Sequence, residues 1–299
     1  MELDDIAADA SGIEDRRGRG GGGLGGLPLG RGGKVGIPAL IVVVLGLVLN
    51  GVLGGGGGGS GIDVTGALDQ LGAGAPASES APAAPADTKD AQVRFVAQVR
   101  GLLTDYWQGV FDESQTGFEA PGLVVFDQPT PTGCGVGQPE AGPFYCPADR
   151  KIYLDFGFYE QLQQQLGFGG DFALAYVLAH EYGHHIQNLL GINRQVQDAS
   201  SGASEEDANR LSVQLELQAD CFAGTWAKAA YQDRRDLLSE GDVEEALAAA
   251  SAVGDDAIQS RTQGRVDQES FTHGSSADRQ RWFRTGFDSG DPARCDTFA

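Results

Sequence analysis

Histidine is scarce in this chain: 299 residues include only His180, His184, His185 and His273. With so little imidazole, any metal binding or proton transfer by histidine has to gather at one place, and three of the four fall within a single helical turn. Positive charge is also short. The chain has 21 lysines and arginines against 42 aspartates and glutamates, a net charge of -21. Such an excess repels phosphate backbones, and no basic patch interleaved with aromatics offsets it, so nucleic acid is excluded as a partner. The glycine run at 54–59 lacks the Gly-Lys-Ser/Thr ending of a phosphate loop and has no strand before it, which leaves a flexible tether. The four cysteines never cluster as C-x-x-C, which argues against a cysteine-built zinc site. Of three possible pairings, the favoured ones are Cys134 with Cys146, closing a short loop, and Cys221 with Cys295, tying the C-terminal tail to a helix.

What the chain does contain falls into four stretches. Residues 1–34 are polar and glycine-rich without apolar periodicity, and are expected to be a disordered tail. Residues 35–53 carry no charge, and as a helix at 1.5 Å per residue they would be about 28 Å long, the thickness of a bilayer core. A transmembrane helix is the expectation, with a cleaved signal peptide as the competing reading. Basic residues precede it and acidic sequence follows, so the positive-inside rule gives a single-pass protein of the cell membrane, N-terminus cytosolic and the bulk extracytoplasmic. Residues 54–90 have Gly/Ala/Pro-rich linker composition. The folded domain is expected over 91–299. Apolar residues at helical spacing predict a helix over 91–111, further helices over 242–252 and 276–289, and short strands at 123–127 and 151–155. The fold class is therefore a helix-rich α+β domain with a small sheet.

The most informative run is His180-Glu181-Tyr182-Gly183-His184. Four residues exceed one helical turn only slightly, so His180 and His184 stack on one face and can grip one metal ion. Glu181 beside them can act as general base on a metal-bound water. The run 172–179 before them is apolar on nearly every side, as a buried helix requires, with Asp171 placed to cap its start and Gly191 to end it. Gly183 in mid-helix costs about 1 kcal/mol against alanine and signals close approach by another group. A catalytic zinc needs a third protein ligand and an open position. The next predicted helix, after a capping run at Ser204, carries Glu216 and Asp220 on one face among Leu215, Leu217, Ala219 and Phe222. Glu216 is the economical ligand, with Asp220 orienting a metal-bound imidazole through its other nitrogen; Asp220 and His273 remain rivals for the third position.

These blocks, HEYGHHIQNLLG, SVQLELQADCFAGTWA and FTHGSSADRQRWFRTGFDSGDPARCDTF, resemble the bacterial family of neutral zinc metallopeptidases, over roughly residues 90–299. The resemblance implies a membrane-anchored, zincin-like domain holding one Zn2+ on His180, His184 and Glu216, with Glu181 catalytic and a peptide or protein as substrate. In zincin-type domains an edge strand lines the cleft, which makes the segment between the two predicted strands the candidate for peptide docking. The expected activity is metal-dependent peptide hydrolysis; the alternative is a membrane-tethered, non-catalytic protein that keeps zinc for stability. His273, in a polar loop before the last helix, is a candidate donor to the oxyanion of the tetrahedral intermediate, against the readings of a helix-capping or solvent-facing histidine and of a ligand.

Overall fold

The computed structural model describes residues 1–18, 84–157, 170–233 and 237–299. Strand β1 (Ile13–Asp15) and strand β2 (Ala84–Pro85) precede helix α1 (Ala91–Glu113), whose start is capped by Asp90 accepting from the backbone of Gln92 and Val93. The helical spacing of Val93, Val96, Val99, Leu103, Trp107 and Phe111 puts all six on the buried face. Each such side chain removed from water stabilises the fold by roughly 1.5–3 kcal/mol. Strands β3 (Gly122–Val125), β4 (Thr130–Thr132), β5 (Gly135–Gly137), β6 (Phe144–Cys146) and β7 (Lys151–Leu154) follow. Five of these strands form one sheet in the order β2-β1-β3-β7-β6, and β4 pairs with β5 in a separate hairpin. Strands β1, β3 and β7 run parallel, while β2 and β6 close the two edges antiparallel.

The second half is helical: α2 (Asp171–Leu189), α3 (Ile192–Ser200), α4 (Glu205–Asp233), α5 (Glu240–Ala252), α6 (Asp255–Gln263) and α7 (Ser276–Ser289). Helix α2 is buried on nearly every side, from Phe172 to Gln187. Helix α7 crosses α4 at near backbone contact, since a Cβ added to Gly286 would lie 2.0 Å from the Cys221 carbonyl oxygen. Both expected disulfides are present, Cys134–Cys146 and Cys221–Cys295, and the second holds the tail after α7 against α4. The helix-rich α+β class is thus the observed one, with two small sheets among the described residues rather than one.

Among the described residues no helix is long and apolar enough to cross a membrane. The span expected at 35–53, residues 19–34 before it and the linker up to residue 83 lie outside the described residues. Residues 1–18 differ from the expected disordered tail. Leu3 and Ile13 are buried, Gln98 donates to the carbonyls of Leu3 and Ile6, and β1 sits inside the sheet between β2 and β3. Arg17 pairs with Asp15 and Asp90, and Glu14 with Lys151. Buried Leu3 and Ile13, the partly buried Met1, Ile6, Ala8 and Ala10, and a set of ion pairs hold this segment, a pattern too irregular to show as periodicity. A single bilayer crossing at 35–53 would put about 30 Å of hydrocarbon between β1 and β3; the expected single-pass arrangement and this sheet exclude one another within one molecule.

The start of α2 also differs from expectation. Gly170 is the cap residue, without a side-chain hydrogen bond, and Asp171 is the first helical residue. There its charge still favours the helix N-terminus.

Candidate metal centre

Helices α2 and α4 meet at Gly183, where an added Cβ would lie 3.0 Å from both the Cα and the carbonyl oxygen of Ala219. The missing side chain lets the two backbones approach, and the residues flanking this contact, His180 and His184 on α2 and Glu216 on α4, converge. His180 Nε2 lies 3.1 Å from Glu216 Oε2, and His184 Nε2 lies 3.3 Å from Glu216 Oε1. One ligand atom from each of the three falls within 4.8 Å of the other two. Two imidazole nitrogens and a carboxylate match the donor set of a zinc site that keeps an open position, so the residues fit the ion that the sequence implies.

Asp220 does not join this trio. It lies behind His180, accepting from Nδ1 at 2.8 Å, from the Tyr176 hydroxyl at 2.5 Å, and from Arg279 Nε at 2.8 Å and Nη2 at 3.0 Å. Three of these donors meet Oδ1 and one meets Oδ2, so the carboxylate is engaged on the Nδ1 side of His180, away from the Nε2 that faces Glu216. Its hydrogen bond to Nδ1 instead fixes the tautomer that presents the Nε2 lone pair. The second histidine has its own brace: His184 Nδ1 lies 2.9 Å from Gln187 Oε1. Tyr176, Gln187 and Arg279 were not singled out in the sequence. Gln187 stands three residues after His184, at helical reach, but Arg279 looks there like any arginine of a charged helix.

Electrostatically the centre is tightly coupled. Burial opposes charge on His180, yet Asp220 and Glu216 outweigh it and push its pKa up to about 10. Glu216 and Asp220 are likewise opposed by burial but held below the ordinary carboxylate range, Glu216 by the two histidines and Asp220 first by Arg279. Glu181 goes the other way. It is 8% exposed, burial raises its pKa, and its carboxylate makes no hydrogen bond to another described residue. A carboxylate beside the ligands, shifted toward accepting a proton and not tied up by a partner, is suited to proton transfer.

His185 faces away from this centre. It is fully buried, burial pushes its pKa down to about 4, and as a neutral ring it donates from Nε2 to the Glu119 carbonyl at 2.7 Å and accepts at Nδ1 from Tyr145. Tyr145 also accepts from Asn188, so both residues of α2 tie down the edge strand β6. His273 is held in another way. Its Nδ1 is 3.1 Å from Asp255 Oδ1, while Asp255 Oδ2 accepts from the backbone of Thr272, His273 and Gly274. Ser212, one turn before Glu216, donates to the Thr272 carbonyl, so the loop packs beside the centre without supplying a ligand atom to it.

The family model described as "Putative neutral zinc metallopeptidase" matches residues 6–298. The uncharacterized protein YpfJ of Escherichia coli strain K12 is 43% identical over 296 residues, covering 97% of this chain and 96% of its own. The uncharacterized protein Rv2575 of Mycobacterium tuberculosis strain H37Rv is 47% identical over 192 residues, 61% of this chain and 64% of its own. No solved structure matches the chain.

Proposed function

Since the chain belongs to the family of putative neutral zinc metallopeptidases, and its two motif histidines meet a carboxylate from a second helix, we propose that it is a zinc-dependent peptidase. His180, His184 and Glu216 hold the ion. When bound, zinc supplies Lewis acidity toward the scissile carbonyl and lowers the pKa of a water to about 7. Glu181 takes the proton from the attacking water and delivers it to the leaving amine. Asp220, braced by Tyr176 and Arg279, keeps His180 in its ligating tautomer. His273, oriented through Nδ1 by Asp255, is the donor that meets negative charge developing on the substrate oxygen.

The substrate is a peptide or protein segment in extended form. Strand β6 pairs only with β7 among the described residues and is tied through Tyr145 to His185 and Asn188 on α2, so its outer edge offers backbone groups for strand addition. The domain acts outside the cytosol, a reading supported by its two disulfides.

The observation that carries the proposal is the convergence of three ligand atoms beside a buried Glu181 whose carboxylate makes no hydrogen bond to another described residue. Zinc analysis of the purified chain, combined with cleavage-site profiling on denatured protein, tests it. The expected result is one zinc per chain and cleavage that stops on chelation and returns with zinc. Full zinc loading with no cleavage of any peptide mixture would leave only a zinc-stabilised binding protein.

A further inference from the structure

We infer that Gln187 is the positioning residue for His184, and that the disulfide-held C-terminal tail supports it through Gln218. The inference rests on the proposed metal-centre reading and adds residues that touch no ligand atom of the ion. Its basis is the direction of a chain of hydrogen bonds. Gln218 Nε2 donates to the Cys295 carbonyl at 2.9 Å, Gln187 Nε2 donates to Gln218 Oε1 at 3.1 Å, and His184 Nδ1 lies 2.9 Å from Gln187 Oε1.

A backbone carbonyl only accepts, so the Cys295 oxygen forces the NH2 end of Gln218 toward the tail and its oxygen toward Gln187. The second hydrogen of the Gln187 amide goes to the Leu215 carbonyl at 2.7 Å, which fixes the same direction independently. The Gln187 oxygen therefore faces His184, Nδ1 carries the proton, and the Nε2 lone pair is left for the ion. Both glutamines are buried, at 0% and 5% exposure, so water does not compete for these groups. The tail that supplies the last carbonyl is held twice more. Cys295 is disulfide-bonded to Cys221 on α4, and Thr297 exchanges two hydrogen bonds with Gln214. The metal centre thus has two separate braces, a charged one on His180 and an amide one on His184. The amide brace ends at the disulfide.

Zinc affinity of the full chain, measured by chelator competition, tests this without reference to turnover. Methionine keeps the length of glutamine and removes both amide groups. Gln187→Met should raise the zinc Kd about 10-fold or more. Gln218→Met should raise it less, because Leu215 still orients Gln187, and its effect should vanish in the Gln187→Met background. Cys295→Ser should resemble Gln218→Met, whereas Cys134→Ser with Cys146→Ser should leave the Kd unchanged. Thermal unfolding of the metal-free variants separates loss of fold from loss of affinity, and imidazole 15N shifts of the zinc-loaded chain report the proton on His184 Nδ1. A zinc Kd within twofold of the parent for Gln187→Met, or a Gln218→Met effect undiminished in the double variant, would overturn the inference. A parent chain that binds no zinc at all would instead overturn the metal-centre reading beneath it.

Discussion

Arg279 and Asp220 form a two-point ion pair behind His180, with Nε 2.8 Å from Oδ2 and Nη2 3.0 Å from Oδ1, and exposures of only 3% and 0%. Removing the arginine leaves a buried, uncompensated carboxylate. Arg279→Met should therefore cost about 3–5 kcal/mol of stability. The Arg279→Met/Asp220→Leu double variant should recover much of it while binding zinc poorly, because His180 has lost its brace. Chemical denaturation with and without zinc checks both statements; a double variant no more stable than the single one would contradict them.

Gly183→Ala sets two effects against each other. Alanine gains about 1 kcal/mol of helix propensity, but its methyl group would press on the Ala219 backbone at 3.0 Å and push α2 away from α4. Since Glu216 reaches the histidines only through this close approach, the expected result is several-fold weaker zinc binding. A variant with unchanged zinc affinity and a raised Tm would show that the contact has slack.

The pairing of β1 with β3 predicts that residues 1–17 and the domain share one compartment. No cysteine is free, so a membrane-impermeant maleimide would react only at new ones. Ser11→Cys and Ser201→Cys, both exposed, should label alike in intact cells. Labelling at position 201 with protection at position 11 until permeabilisation would contradict the sheet.

His273→Ala should keep its zinc and lower kcat by about 10²- to 10³-fold, the usual loss for one oxyanion donor. Near-normal kcat would reduce the Asp255–His273 pair to a device that holds the loop.

How much of this was legible in the sequence depended on how local each signal was. The HExxH run and the Glu216/Asp220 spacing are helix-periodic and appear without tertiary information, as does the buried character of α2. Gly183 announced a close contact because glycine in mid-helix needs a reason. The roles of Arg279 and Gln218 could not be read, since each depends on a partner 59 or 77 residues away, whereas Gln187 stands within helical reach of His184. Strand β1 was missed because three residues held by one buried isoleucine and ion pairs carry no period. Helices α3 and α6 were missed as well, at nine residues each with little buried surface. Only the folded arrangement removes Asp220 as a ligand, by setting its carboxylate against His180 Nδ1 and Arg279 rather than beside His180 Nε2.

The central claim is that Glu181 moves the proton in a zinc-dependent hydrolysis, and the direct measurement is cleavage by the zinc-loaded chain beside its Glu181→Gln variant, with zinc quantified in both. The substitution keeps the side chain's shape and all three ligands and removes only the base. The account predicts equal zinc content and a rate lower by about 10²- to 10⁴-fold in the variant. Equal zinc and equal cleavage would contradict it.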